Sequence, residues 1–150
     1  MAALLSLLAC SEPLKVEPLT YTQIFSGQTK KTWTIRNIQQ VQNGKGTQTF
    51  SLDDCITDDQ YVFSNDFQKT YQVLDGNNKC NADDPNLISD SSWSFVNATA
   101  TLTIVMPLLS DSPLPFIVKD IDDTKMTLDI YIDAENTTAY RFNFKSVSGD

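Results

Sequence analysis

The chain has no histidine among its 150 residues. This absence excludes Ser-His and Cys-His nucleophile pairs, most catalytic zinc sites and ordinary haem ligation, because all of them need an imidazole. The sequence also lacks an uninterrupted apolar run of about twenty residues, so it predicts no transmembrane helix. Basic residues are few, since 11 Lys and Arg against 19 Asp and Glu give a net charge of −8. Without a dense run of Lys or Arg, nucleic acid is not an expected partner.

The residues that are present have the pattern of an all-β protein. Apolar runs are short, Thr, Asp, Asn and Ser are frequent, and no long stretch has a 3.6-residue period. Apolar and polar residues alternate over Met126–Ile132 and again over Ala139–Lys145, and the turn at Asn43–Gly46 separates two further strand-like stretches. Sequential hairpins of this kind predict one domain, an eight-stranded antiparallel up-and-down barrel, which has no free edges once it is closed.

The stretch Met106–Phe116 interrupts this pattern with three prolines. Because proline lacks a backbone N–H and cannot complete a strand ladder, we predict a loop here. The loop carries Leu108 and Leu109, and apolar loop residues need something to cover them. They are expected either to cap the barrel as ordinary core or to form a lid or a contact patch at its mouth.

The N-terminal residues have the character of an export signal. Residues 1–9 are an apolar run that ends in a small residue directly before Cys10, and we interpret them as the remnant of a signal peptide. Leu7-Leu8-Ala9-Cys10 resembles the lipobox of bacterial lipoproteins, which implies a lipidated Cys10, anchoring to a membrane and location in the cell envelope. The alternative is an accidental apolar tail with a free thiol. Residues 10–26 are predicted to form a lipidated tether and residues 27–150 the barrel, with Leu19–Phe25 docking on one end of it.

Two further cysteines, Cys55 and Cys80, lie within the predicted barrel. In an exported chain they would meet an oxidising compartment, where two cysteines in one small domain most simply form a disulfide. Two free, buried thiols are the alternative. Closing a loop of this length would contribute about 3 kcal/mol to the free energy of unfolding.

Part of the sequence is similar to a known family. The segments KTWTI, CITDDQYVFSNDFQKTYQV and SSWSF, with a second cysteine shortly before the last and two alternating C-terminal strands after it, resemble the lipocalin-like domain lipoproteins of Bacteroidetes over about Gly27–Val147. The resemblance implies a lipocalin-like barrel with Trp33 on the first strand, a disulfide between Cys55 and Cys80, and Trp93 on the strand that follows. It also favours a ligand in the barrel.

Large apolar side chains on the predicted strands have two possible roles, since an eight-stranded barrel has just enough interior to be filled by side chains or to hold one small ligand. We predict a monomeric, lipid-anchored envelope protein that binds a small apolar ligand in its barrel. The alternative is a packed barrel that contacts another envelope protein or a glycan through its loops. The predicted ligand-binding residues are Trp33, Phe63, Tyr71, Trp93, Phe95, Phe142, Leu108 and Leu109.

Acidic residues cluster near both cysteines. SLDDCITDDQ contains Asp53, Asp54, Asp58 and Asp59, and NADDP adds two more. Such carboxylates could bind calcium, but neither stretch has the order of an EF-hand, and solvated acidic turns are the favoured interpretation. These Asp residues fall on turns or polar strand faces rather than facing each other across a cleft, as paired catalytic carboxylates would. We therefore predict no metal, no cofactor and no enzymatic activity.

Overall fold

A computed structural model describes residues 20–147 of the chain. Two short helices, ten strands and one 3-10 turn at Asn97–Thr99 make up this part of the protein. The helices are α1, Tyr21–Ser26, and α2, Asp54–Thr57. The strands are β1 Lys30–Gln42, β2 Lys45–Phe50, β3 Gln60–Ser64, β4 Thr70–Leu74, β5 Leu87–Ser92, β6 Ser94–Val96, β7 Thr101–Met106, β8 Ser110–Ile121, β9 Lys125–Tyr131 and β10 Thr138–Val147.

The strands form one antiparallel sheet that is nearly closed into a barrel. Its order is β5-β4-β3-β1-β10-β9-β8-β7-β6, and β2 also pairs with β1. Only Trp93 separates β5 from β6, so the segment Leu87–Val96 pairs with β4 through its first half and with β7 through its second half. This change of partner within one segment brings the two sides of the sheet back together. The predicted all-β antiparallel barrel is confirmed.

The number of strands is ten rather than the predicted eight. Part of the difference lies at Leu87–Ser92, which pairs with β4 although it has no clear apolar alternation. Beside β1, β2 pairs with the C-terminal half and β3 with the N-terminal half. The segment between them leaves the sheet and forms α2, so two strands share one side of β1.

The prediction of a loop over Met106–Phe116 is wrong for most of that stretch. Only residues 107–109 form a turn, and β8 begins at Ser110 and pairs with β7 through both Pro113 and Pro115. The N–H of Val118 donates to the carbonyl oxygen of Ala100. Because the backbone N–H groups of alternate residues point to the same neighbouring strand, those of Leu114, Phe116 and Val118 point toward β7. The backbone nitrogens of the two prolines point the opposite way, toward the side of β8 where β9 pairs only from Ile117 onward. Their missing N–H groups therefore leave no ladder bond unmade.

Helix α1 closes one end of the barrel. The Thr20 hydroxyl accepts a hydrogen bond from the Gln23 N–H, and the Gln23 side chain accepts one from the Thr20 N–H, which together form a capping box. Gly27, with φ of 62°, ends the helix in a conformation that L side chains rarely adopt. Phe25 is completely buried, and its carbonyl oxygen accepts a 2.9 Å hydrogen bond from Trp33 Nε1. The last residues of the predicted tether therefore belong to the folded domain.

The turns divide into two groups at opposite ends of the barrel. Those beside α1 are 65–69, 97–100 and 122–124, and together with α1 we call them the helix end. Asn65 N–H donates to the Thr29 carbonyl, and Lys31 Nζ both donates to the Ile24 carbonyl and lies 3.7 Å from Asp123, so these turns and the helix are neighbours. The far end consists of turn 43–44, loop 75–86, turn 107–109 and loop 132–137.

Candidate functional site

Six of the predicted ligand-binding residues lie in the core of the barrel. Trp33, Phe63 and Tyr71 have no exposed surface, Trp93 and Phe142 have almost none, and only Phe95 is partly exposed. They come from both halves of the sheet and project inward because alternate residues of a strand point to the same face.

These aromatic rings contact one another rather than enclosing a space among themselves. The ring centroid of Phe63 lies 4.9 Å from that of Tyr71 and 5.7 Å from that of Trp93, in edge-to-face arrangements. Phe25 adds a further ring, 6.1 Å from Phe63, 5.8 Å from Trp93 and 5.1 Å from Phe95. Such pairs stabilise a core beyond their burial alone. Sequence reasoning had placed Phe25 in the part of the tether that docks on one end of the barrel, which agrees with its burial, but had not placed its ring among these aromatic side chains.

Leu108 and Leu109 lie apart from the aromatic cluster. Both are in the turn between β7 and β8 at the far end, where 39% and 42% of their surface is exposed. Leu109 N–H donates to the Met106 carbonyl oxygen, which holds the turn. Leu87, Ile88 and Ile132 are also exposed on this side of the barrel, at the start of β5 and just after β9. We call these five residues the far-end patch.

Cys55 and Cys80 form the predicted disulfide, with their Cα atoms 5.1 Å apart. The bond joins α2 to the loop between β4 and β5. It thereby links two segments that both lie outside the sheet.

The disulfide lies beside a group of three carboxylates that the sequence analysis had not brought together. In the β3–β4 hairpin Gln60 is opposite Leu74, so the residues just outside that pair, Asp59 and Asp75, must be neighbours. Asp58 extends the group and accepts a 2.8 Å hydrogen bond from the Asn78 N–H. The signal that could have found this cluster was the register of the hairpin, because Asp75 is distant in sequence from the adjacent pair Asp58 and Asp59.

Each of the three carboxylates has one buried oxygen that makes no hydrogen bond to the protein: Oδ1 of Asp58, Oδ1 of Asp59 and Oδ2 of Asp75. Lys79 is the cation nearest to Asp75, but at 3.7 Å it forms an ion pair without a hydrogen bond. Burial, opposed by a hydrogen bond from the Gly76 backbone and supported by the charges of Asp75 and Asp58, raises the pKa of Asp59 to about 6. Within residues 20–147, no group of three or more His, Cys, Asp or Glu side chains is arranged to hold a metal ion.

The other buried carboxylate is fully paired. Asp129 is 1% exposed and accepts two hydrogen bonds from the guanidinium of Arg141, at 2.7 and 2.8 Å. The two residues are directly opposite on β9 and β10. A bidentate pair of this kind compensates a buried charge. In the cluster around Asp59, by contrast, the buried carboxylate oxygens are only partly compensated.

Replacing Asp59 with Asn is expected to stabilise the protein at neutral pH. Because the pKa of Asp59 is about 6 in the folded state against an ordinary 3.8, the folded state binds the extra proton, and stability is lost as the pH rises from about 4 through 6. Asn mimics the protonated form, so D59N should unfold with a free energy higher by about 2 kcal/mol at pH 7.5 and equal to wild type near pH 4. Urea titrations at several pH values measure this difference. Asp53→Asn, at an exposed position with no side-chain hydrogen bond, is the control, and equal pH profiles for D59N and wild type would contradict the prediction.

A groove of about 250 Å³ lies at the helix end. It is lined by Tyr21 of α1, by Asn97 and Ala100 of the turn before β7, and by the segment 118–121 of β8. The groove is open to solvent and contains none of the eight predicted ligand-binding residues.

No protein-family model matches this sequence, and no curated protein matches it significantly. The resemblance to lipocalin-like lipoproteins therefore stays a prediction. Cys10, the predicted lipidation site, lies outside the described residues. No helix of the described part of the chain is both long and apolar enough to cross a membrane.

Proposed function

We propose that the chain is a non-catalytic, lipid-anchored module of the cell envelope, in which a packed barrel presents its far-end loops to another envelope protein or to a glycan. One observation carries this choice. The aromatic side chains predicted to line a ligand site instead pack against one another, while the two predicted ligand-binding leucines are exposed on the outside.

The contacts among the interior rings favour an interaction module over a ligand carrier. A small apolar ligand in the barrel would have to displace rings such as Phe63 and Trp93, which already contact each other and Phe25. Trp93 is also fixed by a 3.0 Å hydrogen bond from its Nε1 to the Ser64 carbonyl oxygen. Displacing it would break that bond as well as the ring contacts, so the ligand would need to supply more than equal apolar contact.

The far-end patch has the composition of a small contact surface. It holds exposed Leu and Ile side chains on a turn, a strand start and a loop, all of them outside the core. Beside it lies the loop held by the disulfide. Exposed apolar residues on loops that a rigid scaffold positions are a common form of binding surface.

The anchor is proposed from the sequence Leu7-Leu8-Ala9-Cys10. Acylation of Cys10 would attach the chain to a membrane through residues 10–19, with the barrel as a separate folded unit. Two or more acyl chains are needed for stable anchoring of this kind.

Expression of three forms in a lipoprotein-processing host tests both halves of the proposal. Cys10→Ala should move the protein from the membrane fraction to the soluble fraction without changing its unfolding midpoint. The double variant Leu108→Ser/Leu109→Ser should stay in the membrane fraction and change the free energy of unfolding by less than about 1 kcal/mol, as exposed substitutions do. It should also lose cross-linked species formed by the wild type in intact cells.

Two results would refute the proposal. Unchanged membrane association of Cys10→Ala would remove the anchor. Strong destabilisation by the double leucine variant, with its cross-linking pattern unchanged, would show that the turn is core and not a contact surface.

A further inference from the structure

One apolar side chain of the described protein is almost completely exposed. Phe67, in the turn between β3 and β4 at the helix end, has 97% of its surface accessible. The turn itself is well fixed: Asp66 Oδ1 accepts a 2.8 Å hydrogen bond from the Thr70 N–H, and Lys69 Nζ donates to Asn65 Oδ1 at 3.0 Å. The fold thus gains nothing from the phenyl ring, and its position is not explained by packing.

Other apolar side chains are exposed at the same end. Tyr21 of α1 and Val96, which precedes the turn into β7, each have about half of their surface exposed, and Val147 ends β10. Tyr21 contacts Phe95 at 5.3 Å between ring centroids, so it extends the core toward the surface. Together with Phe67 these residues form what we call the helix-end patch.

The position of the first described residue indicates which end of the barrel is connected to the proposed anchor. The described chain begins at Thr20, directly before α1, and Cys10 lies ten residues earlier in the sequence. Ten residues span at most about 35 Å when fully extended. An anchored chain therefore keeps the helix end, where the described residues begin, within about 35 Å of the bilayer, whereas the far-end patch lies a barrel length further along the chain's strands.

The charges at the helix end fit a lipid surface of low net charge. The charged residues at this end are Lys30, Lys31, Lys69, Lys125 and Lys145 together with Asp66, Asp120, Asp122 and Asp123. Neither sign dominates, although the whole chain carries −8. The patch thus lacks the basic cluster that recognises strongly anionic lipids, and apolar contact is left as the attractive interaction.

We propose that the helix-end patch rests on the membrane that anchors the chain, with the Phe67 ring in the interfacial layer of the bilayer. The inference deepens the proposed function, because it depends on anchoring near residue 10. The patch is too small to hold the chain on a membrane by itself. The tether keeps the patch at a high effective concentration near the bilayer, so that a weak contact is formed most of the time.

Coupling Cys10 to a maleimide lipid in phosphatidylcholine vesicles tests this orientation directly. With Cys55 and Cys80 joined in the disulfide, Cys10 is the free thiol among the three cysteines of the sequence. Phe67→Trp and Leu109→Trp place a reporter at the helix end and at the far end, both at exposed positions. Wild-type protein, with its buried Trp33 and Trp93, supplies the baseline.

With dibrominated phosphatidylcholine in the vesicles, the added emission of F67W is expected to fall at least two-fold, while that of L109W stays within experimental error. Equal quenching of both variants, or none of F67W, overturns the proposal. Near-ultraviolet circular dichroism confirms that each variant is folded. Since the coupling is chemical, the result does not depend on whether cells acylate Cys10, so failure of the anchor and failure of the orientation are distinguishable.

Discussion

Replacing Phe63 with Ala is expected to lower the free energy of unfolding by about 3–5 kcal/mol. The ring is completely buried and contacts Phe25, Tyr71 and Trp93, so its removal loses both apolar burial and three aromatic contacts. Urea denaturation followed by tryptophan fluorescence measures the loss.

Phe67→Ala is the matched control for this variant, because Phe67 belongs to the same hairpin and is 97% exposed. It should change stability by no more than about 0.5 kcal/mol. If Phe63→Ala also lowered the free energy of unfolding by less than about 1 kcal/mol, the interior would be loosely packed. A ligand inside the barrel would then be favoured over the interaction module.

The second large effect is expected for Gly76→Ala, which should destabilise the protein by several kcal/mol. An added Cβ would come within 2.6 Å of the backbone carbonyl oxygen of Asp58 and even closer to its carboxyl carbon. The backbone oxygen cannot move away without shifting the segment between α2 and β3. The absence of a side chain at Gly76 therefore lets the loop after β4 pack closely against the segment after α2, the two segments that the disulfide also joins.

Gly46→Ala tests whether this effect belongs to the position rather than to glycine. A Cβ at Gly46 would meet only the Gln39 side chain, at ordinary contact distances of 3.7–3.8 Å. Thermal unfolding of both variants is the measurement. A midpoint for Gly76→Ala equal to that of Gly46→Ala would mean that the contact with Asp58 relaxes without cost.

Local pattern was sufficient for much of the fold. Strict alternation on β9 and β10 identified the inward residues, for example Leu128 and Phe142, since period two is set by the pleat itself. The disulfide followed from the number of cysteines and the inferred compartment. The Asn43-Gly44 turn has positive φ at both residues, as its sequence predicts for a two-residue hairpin.

The failures share a different cause. Proline was taken to exclude a strand, but Pro113 and Pro115 lie where one side of β8 has no partner among residues 20–147, and only the sheet order reveals that side. Whether Trp93 and Phe63 surround a ligand or each other depends on distances across the barrel, which no local pattern contains. The cluster of Asp58, Asp59 and Asp75 likewise arises from the pairing of two strands.

The pairing of β1 with β10 has a consequence for how the protein becomes folded. Asn37 and Asn143 are hydrogen-bonded across a separation of 106 residues, along a ladder in which the first long strand needs the last one as its neighbour. A chain synthesised from its N-terminus exposes that side of β1 until β10 has been synthesised. Contacts of such high sequence separation form slowly, because the loop-closure entropy must be overcome before they contribute. The protein is thus most prone to aggregation, and in greatest need of a chaperone, in the interval before β10 arrives.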